Sequence, residues 1–181
     1  MPRALVLAGR GRYEDPWHDH AATSHVVAGL LAEQGVDAEV RSTFPHAFGD
    51  LGSFDLVVVN AGRGRTDAAF DGDDAAWAPA HEAVCAFAAG GGALLGLHQA
   101  ANSFADSPHW AGILGGRWVP GTSTHPPQDV ATFTPVATTP SSPGSARWSP
   151  TTSAIAGSTS PRPRTCSSPR TTTGWTTPWP G

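Results

Sequence analysis

A chain of 181 residues is long enough for one domain with a substantial core and short for two. Charge is unevenly spread: residues 1–136 hold seven arginines against fifteen acidic residues, a formal −8, while residues 137–181 hold four arginines and no acid, +4. An acidic first part excludes a nucleic-acid-binding face there, two cysteines exclude a disulfide-framed secreted scaffold, and no apolar run is long enough for a membrane span or a signal peptide, so a cytoplasmic protein is expected.

In chain order, "RALVLAG" (Arg3–Gly9) is a short apolar run closing at glycine, as in a buried parallel strand. A polar loop, "RGRYEDPWHD", follows. "HAATSHVVAGLLAEQG" places Ala22, Val26, Leu30 and Leu31 at helical spacing, with Asp19 or Thr23 to cap it and Gly35 to stop it. "VDAEVR" alternates and reads as a strand nearer a sheet edge. "FDLVVVNAG" (Phe54–Gly62) is β-branched and glycine-bounded, the strongest strand signal in the chain.

"DDAAWAPAHEAVCAFAAGGG" reads as a helix, with Pro79 in its first turn or at its true start. "ALLGLH" is a further strand, and "SPHWAGILGG" a short helix stopped by Gly115 and Gly116. Strand, helix, strand, strand, helix, strand, helix predicts a three-layer α/β domain with a mainly parallel sheet. Ligands of such sheets bind beyond the carboxyl ends of the strands.

After Val136 the composition changes: 28 of the 45 residues from Ala137 to Gly181 are Ser, Thr or Pro. One reading is a disordered tail of low complexity. Another comes from the genetic code. Reading this stretch one base out of register, with GC-rich third positions, returns Asp, Glu, His and aliphatic residues, including "DERY" and "HPVAW". The pattern predicts a base lost near Val136, an incomplete domain over 1–136, and a segment 137–181 without selected function, so that its basic charge is no nucleic-acid signal.

The motifs "WHDH", "FDLVVVNAG", "AFAAGGGALLGLHQAANSF", "HWAGILGGRW" and "THPPQ" occur in an order and spacing that resembles the trehalose utilisation (ThuA-like) family, over about residues 3–136. The glycine-rich strand ending in G-L-H is the most specific part. The resemblance implies the flavodoxin-like fold of class I glutamine amidotransferases and a role in carbohydrate metabolism, acting on or binding a sugar or an oxidised sugar.

Amidotransferases of this fold place a cysteine nucleophile on a tight strand-to-helix turn, where strain exposes the side chain. Here that stretch is Gly96-Leu97-His98-Gln99-Ala100, and the nucleophile position is His98. Cys85, mid-helix among Ala83, Val84 and Phe87, reads as core, so thiol-dependent glutaminase chemistry is not expected. His98 is open to three readings: a general base or sugar contact, with His18 and His20 on the first loop as further substrate contacts; a ligand of a divalent metal together with His18 and His20, with Asp19 or His125 as additions; or a structurally satisfied side chain. Asn60, Gln99, Arg10 and Arg12 add a hydroxyl-binding set, against ordinary loop polarity. His109 positions the short helix or closes the pocket, and His125 lies in a loop that covers the site. His25, His46 and His81 read as surface residues. "GRGR" lacks the third glycine of a dinucleotide fingerprint, so no nicotinamide cofactor is expected. The alternatives to an enzyme are a non-catalytic module binding a sugar or a partner, and an inactive frame-disrupted product; self-association into a homo-oligomer is compatible with either active form.

Overall fold

The computed structural model describes residues 1–125 and residue 127. The expectations for 137–181 lie outside the described residues. Four strands, β1 (Arg3–Ala8), β2 (Asp37–Ser42), β3 (Leu56–Asn60) and β4 (Ala93–Gly96), form one sheet in the order β2-β1-β3-β4. Every pairing is parallel. This is the flavodoxin-like strand order, in which the chain reverses direction across the sheet between β1 and β3.

Alternation along the strands decides what faces what. Leu5 and Leu7 of β1 and Val57 and Val59 of β3 enter one core with Trp77, Ala80 and Val84 of α3 (Asp74–Ala89). Ala4, Val6 and Val58, also fully buried, point to the opposite face, where α1 (His20–Glu33) packs across β2 and β1. Two shorter helices, α2 (Ala68–Asp71) and α4 (Trp110–Leu114), and four 3-10 turns, Gly11–Tyr13, Pro45–Phe48, Leu51–Ser53 and His98–Asn102, complete the described elements. The three-layer α/β expectation holds.

Helix ends follow local chemistry. The Asp19 carboxylate accepts from the backbone N–H of Ala22 at 2.9 Å and caps α1. Gly35, at φ +75°, ends the same helix, and Gly115, at φ +83°, ends α4.

Three local expectations need correction. Of Ala22, Val26, Leu30 and Leu31, only Leu31 turns toward the sheet: Val26 is 63% and Leu30 57% exposed, while His20 and Ser24 are buried. The sheet side of α1 runs through 20, 24, 27, 28 and 31, because the polar pair His20 and Ser24 is drawn in by Asn60 at the end of β3. Pro79 lies inside α3 rather than in its first turn. Both Pro79 and Ala75 are exposed, so water can satisfy the Ala75 carbonyl that Pro79 has no N–H to meet. Finally, β4 stops at Gly96 and does not reach His98. The Leu97 N–H still bonds the Val59 carbonyl at 2.9 Å, and then the chain turns, with the Ala100 N–H on the Leu97 carbonyl at 2.8 Å.

Candidate functional site

The reversal point between β1 and β3 is packed closely by glycine. A Cβ on Gly9 would strike the Tyr13 carbonyl and the His20 ring, and one on Gly64 would strike the carbonyls of Glu14 and Gly11. Without side chains there, the loop after β3 lies on the loop after β1. The Gly62 N–H donates to the Tyr13 carbonyl at 2.8 Å and the Gly64 N–H to the Arg12 carbonyl at 2.9 Å.

A buried polar network fixes the same loop from the other side. Arg12, 4% exposed, lies 2.8 Å from Asp74 and 3.0 Å from Asp106. The Tyr13 hydroxyl lies 2.7 Å from both Asp106 Oδ1 and His81 Nε2. A carboxylate only accepts, so the single phenolic proton goes to Asp106, and His81 must carry its proton on Nε2 to donate to the Tyr13 oxygen. Burial, followed by Asp106, pushes the Tyr13 pKa far up. Arg12 is therefore a brace, and His81 is buried rather than on the surface as expected. Asp106 belongs to the segment after β4, so this network ties the β1 loop to the β4 loop.

These two loops meet at a cavity of about 370 Å³ lined by Trp17, His18, His98, Gln99, Trp118 and His125. His18 Nε2 and His98 Nε2 are 2.9 Å apart. His98 has φ +44°, in the left-handed region, where a residue with a Cβ is held only by its surroundings. The expected strained turn is present, and it carries the imidazole outward.

The Asp15 carboxylate stands behind the pair, with Oδ1 3.0 Å from His18 Nδ1, at an angle outside hydrogen bonding, and accepting the Trp17 N–H at 2.7 Å. This negative charge favours the proton of His18 on Nδ1. The lone pair of His18 is then on Nε2, His98 donates its Nε2 proton to it, and the free lone pair of the dyad is His98 Nδ1. Burial, and then the positive charge that His18 can carry, lower the His98 pKa below its ordinary 6.5. At neutral pH the ring is neutral and basic at Nδ1.

Trp17 stands 87% exposed at the cavity mouth, and Trp118 closes another wall, its backbone N–H on the Ala101 carbonyl at 2.7 Å. Trp118 and His125 lie 6.0 Å apart, centroid to centroid. Of the residues expected at the site, His18, His98, Gln99 and His125 are brought together.

The others are elsewhere. Asn60, 7% exposed, spends its amide N–H groups on the His20 carbonyl (3.2 Å) and the hydroxyls of Thr23 (2.7 Å) and Ser24 (2.9 Å). It fastens α1 to β3. Arg10 pairs with Glu14 at 2.6 Å and lines a separate opening of about 530 Å³ between β1 and β2, which shares Trp17 and His18 with the first. His109 Nε2 meets Glu82 at 3.1 Å and pins the start of α4 to α3. His20 is buried with its ring stacked 5.9 Å from that of His18, its Nε2 without a partner among the described residues. Burial lowers its pKa.

The divalent-metal expectation thus finds two of its three imidazoles together. Among the described residues, no group of three or more His, Cys, Asp or Glu side chains is placed to hold a metal ion. Sequence reasoning did not single out Trp17, Trp118, Asn102 or Asp15. The available signal was a tryptophan beside a histidine in an otherwise polar loop, "DPWHD", since an aromatic body with a polar neighbour suits a ligand edge.

Comparison of the chain with protein-family models, with curated proteins and with solved structures returns no match. No helix among the described residues is long and apolar enough to cross a membrane.

Proposed function

We propose that this chain is a carbohydrate-metabolism protein of ThuA-like type, which binds a sugar or oxidised sugar and uses His98 as a general base on it. One observation carries this reading: the 2.9 Å His18–His98 pair opens into a cavity flanked by Trp17 and Trp118. Indole faces cover the apolar C–H face of a sugar, while amides such as Gln99 and Asn102, both at the cavity, serve its hydroxyls.

The proton balance is simple. His98 Nδ1 takes a proton from a hydroxyl, or from carbon beside a carbonyl in an oxidised sugar. The resulting imidazolium keeps its Nε2–H on His18, with the Asp15 carboxylate beyond it. Thiol acyl transfer has no support, since His98 holds the turn and Cys85 is buried in α3.

The test pairs binding with turnover. Glucose, trehalose and their keto derivatives are titrated into wild type, Trp17→Ala and His98→Ala by calorimetry, with product followed by NMR. The reading predicts at least about tenfold weaker binding in Trp17→Ala, the loss of one stacking partner, and loss of turnover at unchanged melting temperature in His98→Ala. Binding in wild type and His98→Ala alike, with turnover in neither, replaces the enzyme with a binding module. No binding of any sugar by wild type ends the carbohydrate reading.

A further inference from the structure

A second cavity, of about 220 Å³, adjoins the first and shares Ala101, Asn102 and Trp118 with it. Its walls come from the loop after β3, with Arg63, from the segment after β4, with Ser103 and Ser107, and from the segment after α4, with Arg117. Phe104, at φ +48°, lies in its wall. His98 and Phe104 are the two non-glycine residues with left-handed backbone among the described residues, one at each cavity. Such conformations cost free energy and persist where the surroundings hold them, a pattern that concentrates at ligand sites.

Charge makes the second cavity unusual. Carboxylates outnumber arginines about two to one over residues 1–136, and most described arginines are neutralised. Arg3 lies near Asp37 and Glu39, Arg10 pairs with Glu14, Arg12 with Asp74 and Asp106, and Arg41 with Glu39 and Asp50. Three of the seven described arginines, Arg63, Arg65 and Arg117, have no ion pair or side-chain hydrogen bond among the described residues, and two of these, Arg63 and Arg117, line this one cavity. Two uncompensated arginines on the walls of one cavity in an acidic protein offer a seat for an anion, which a guanidinium fork binds through charge-assisted bonds.

We infer that Arg63 and Arg117 hold the anionic group, a carboxylate or phosphate, of a sugar acid or sugar phosphate whose polyhydroxyl body occupies the adjoining histidine cavity. The inference rests on the carbohydrate reading for the body of the ligand, and the anion seat stands on its own observation. Trp118, common to both cavities, lies where the two parts of the ligand join. In this arrangement the arginines set specificity and position, and His98 performs the proton transfer.

Calorimetry at low ionic strength on the full chain, wild type and Arg63→Gln/Arg117→Gln, tests it with four probes: D-glucose, D-glucuronate, D-glucose 6-phosphate and inorganic phosphate. Both arginines are exposed, so the double variant is expected to melt with wild type. At least one charged sugar should bind about tenfold or more tighter than glucose, and the double variant should lose that advantage while binding glucose as before. Whichever of glucuronate and glucose 6-phosphate gains more identifies the anion as carboxylate or phosphate. Charged sugars binding no tighter than glucose, or equally well to the double variant, overturn the inference and leave the carbohydrate reading intact. Should no sugar bind, inorganic phosphate decides: binding to wild type that the double variant loses upholds the anion seat, and no difference overturns it.

Discussion

Asn60 ends β3 and His98 stands two residues past the end of β4, both at the carboxyl edge of the sheet, and as residues they do opposite things. His98 carries strain and an open imidazole, whereas Asn60 is turned inward and fully engaged with α1. Asn60→Ala should therefore destabilise the fold by about 1–3 kcal/mol, the cost of stranding buried hydroxyl and carbonyl groups, and leave ligand affinity nearly unchanged. Chemical denaturation alongside calorimetry checks this; a variant of wild-type stability that has lost binding would return Asn60 to the site. The distinction is invisible in the sequence, because Asn60 meets partners 36 to 40 residues away. The turn at His98 is legible, since a glycine-rich apolar run followed by a histidine is a local pattern, although the strand itself stops at Gly96.

Elements read well where they are buried on both faces. β1 and β3 are continuous apolar runs because α1 and α3 cover the two sides of the sheet, and a run of that kind needs no partner to be recognised. Helix α1 lies where its apolar spacing places it, but only Leu31 of that apolar set turns toward the sheet. Its apolar residues Val26 and Leu30 suggested the packed face, but two polar residues, His20 and Ser24, hold that position through their contact with Asn60. The consequence is measurable: Val26→Ser and Leu30→Ser together should shift stability by less than about 1 kcal/mol, whereas Val58→Ala, which removes two methyl groups from a fully buried side chain, should cost about 1–3 kcal/mol. Urea unfolding of the two variants separates these outcomes, and a large loss in the helix pair would mean that Val26 and Leu30 are packed.

For the whole molecule, the cavity depends on a loop held by buried neutral histidines. Burial lowers the pKa of His20 and of His81 below the ordinary 6.5. On acidification the unfolded chain takes up these protons first, near pH 6.5, while the folded chain resists them. Their contribution to stability is therefore complete above that pH and is lost as pH falls from about 6.5 toward the lower folded-state values. The melting temperature should drop between pH 7 and pH 5, before most carboxylates titrate; a flat profile over that interval would show that the fold takes up these protons as readily as the unfolded chain, against the lowering by burial. The network through Tyr13 and Asp106 links this transition to the site, because the same loop carries Trp17 and His18.

The proposed function turns on the hydrogen-bonded pair of His98 and His18 as the place that receives a sugar. Imidazole ¹⁵N NMR of the full chain, with D-glucose and D-glucuronate titrated in at pH 7.5, reads it directly. The account predicts a protonated Nε2 and an unprotonated Nδ1 on His98, with ring signals of His98 and His18 moving together on binding while those of His81 and His109 stay in place. Rings of His98 and His18 that ignore both sugars, or a His98 protonated on Nδ1, would contradict it.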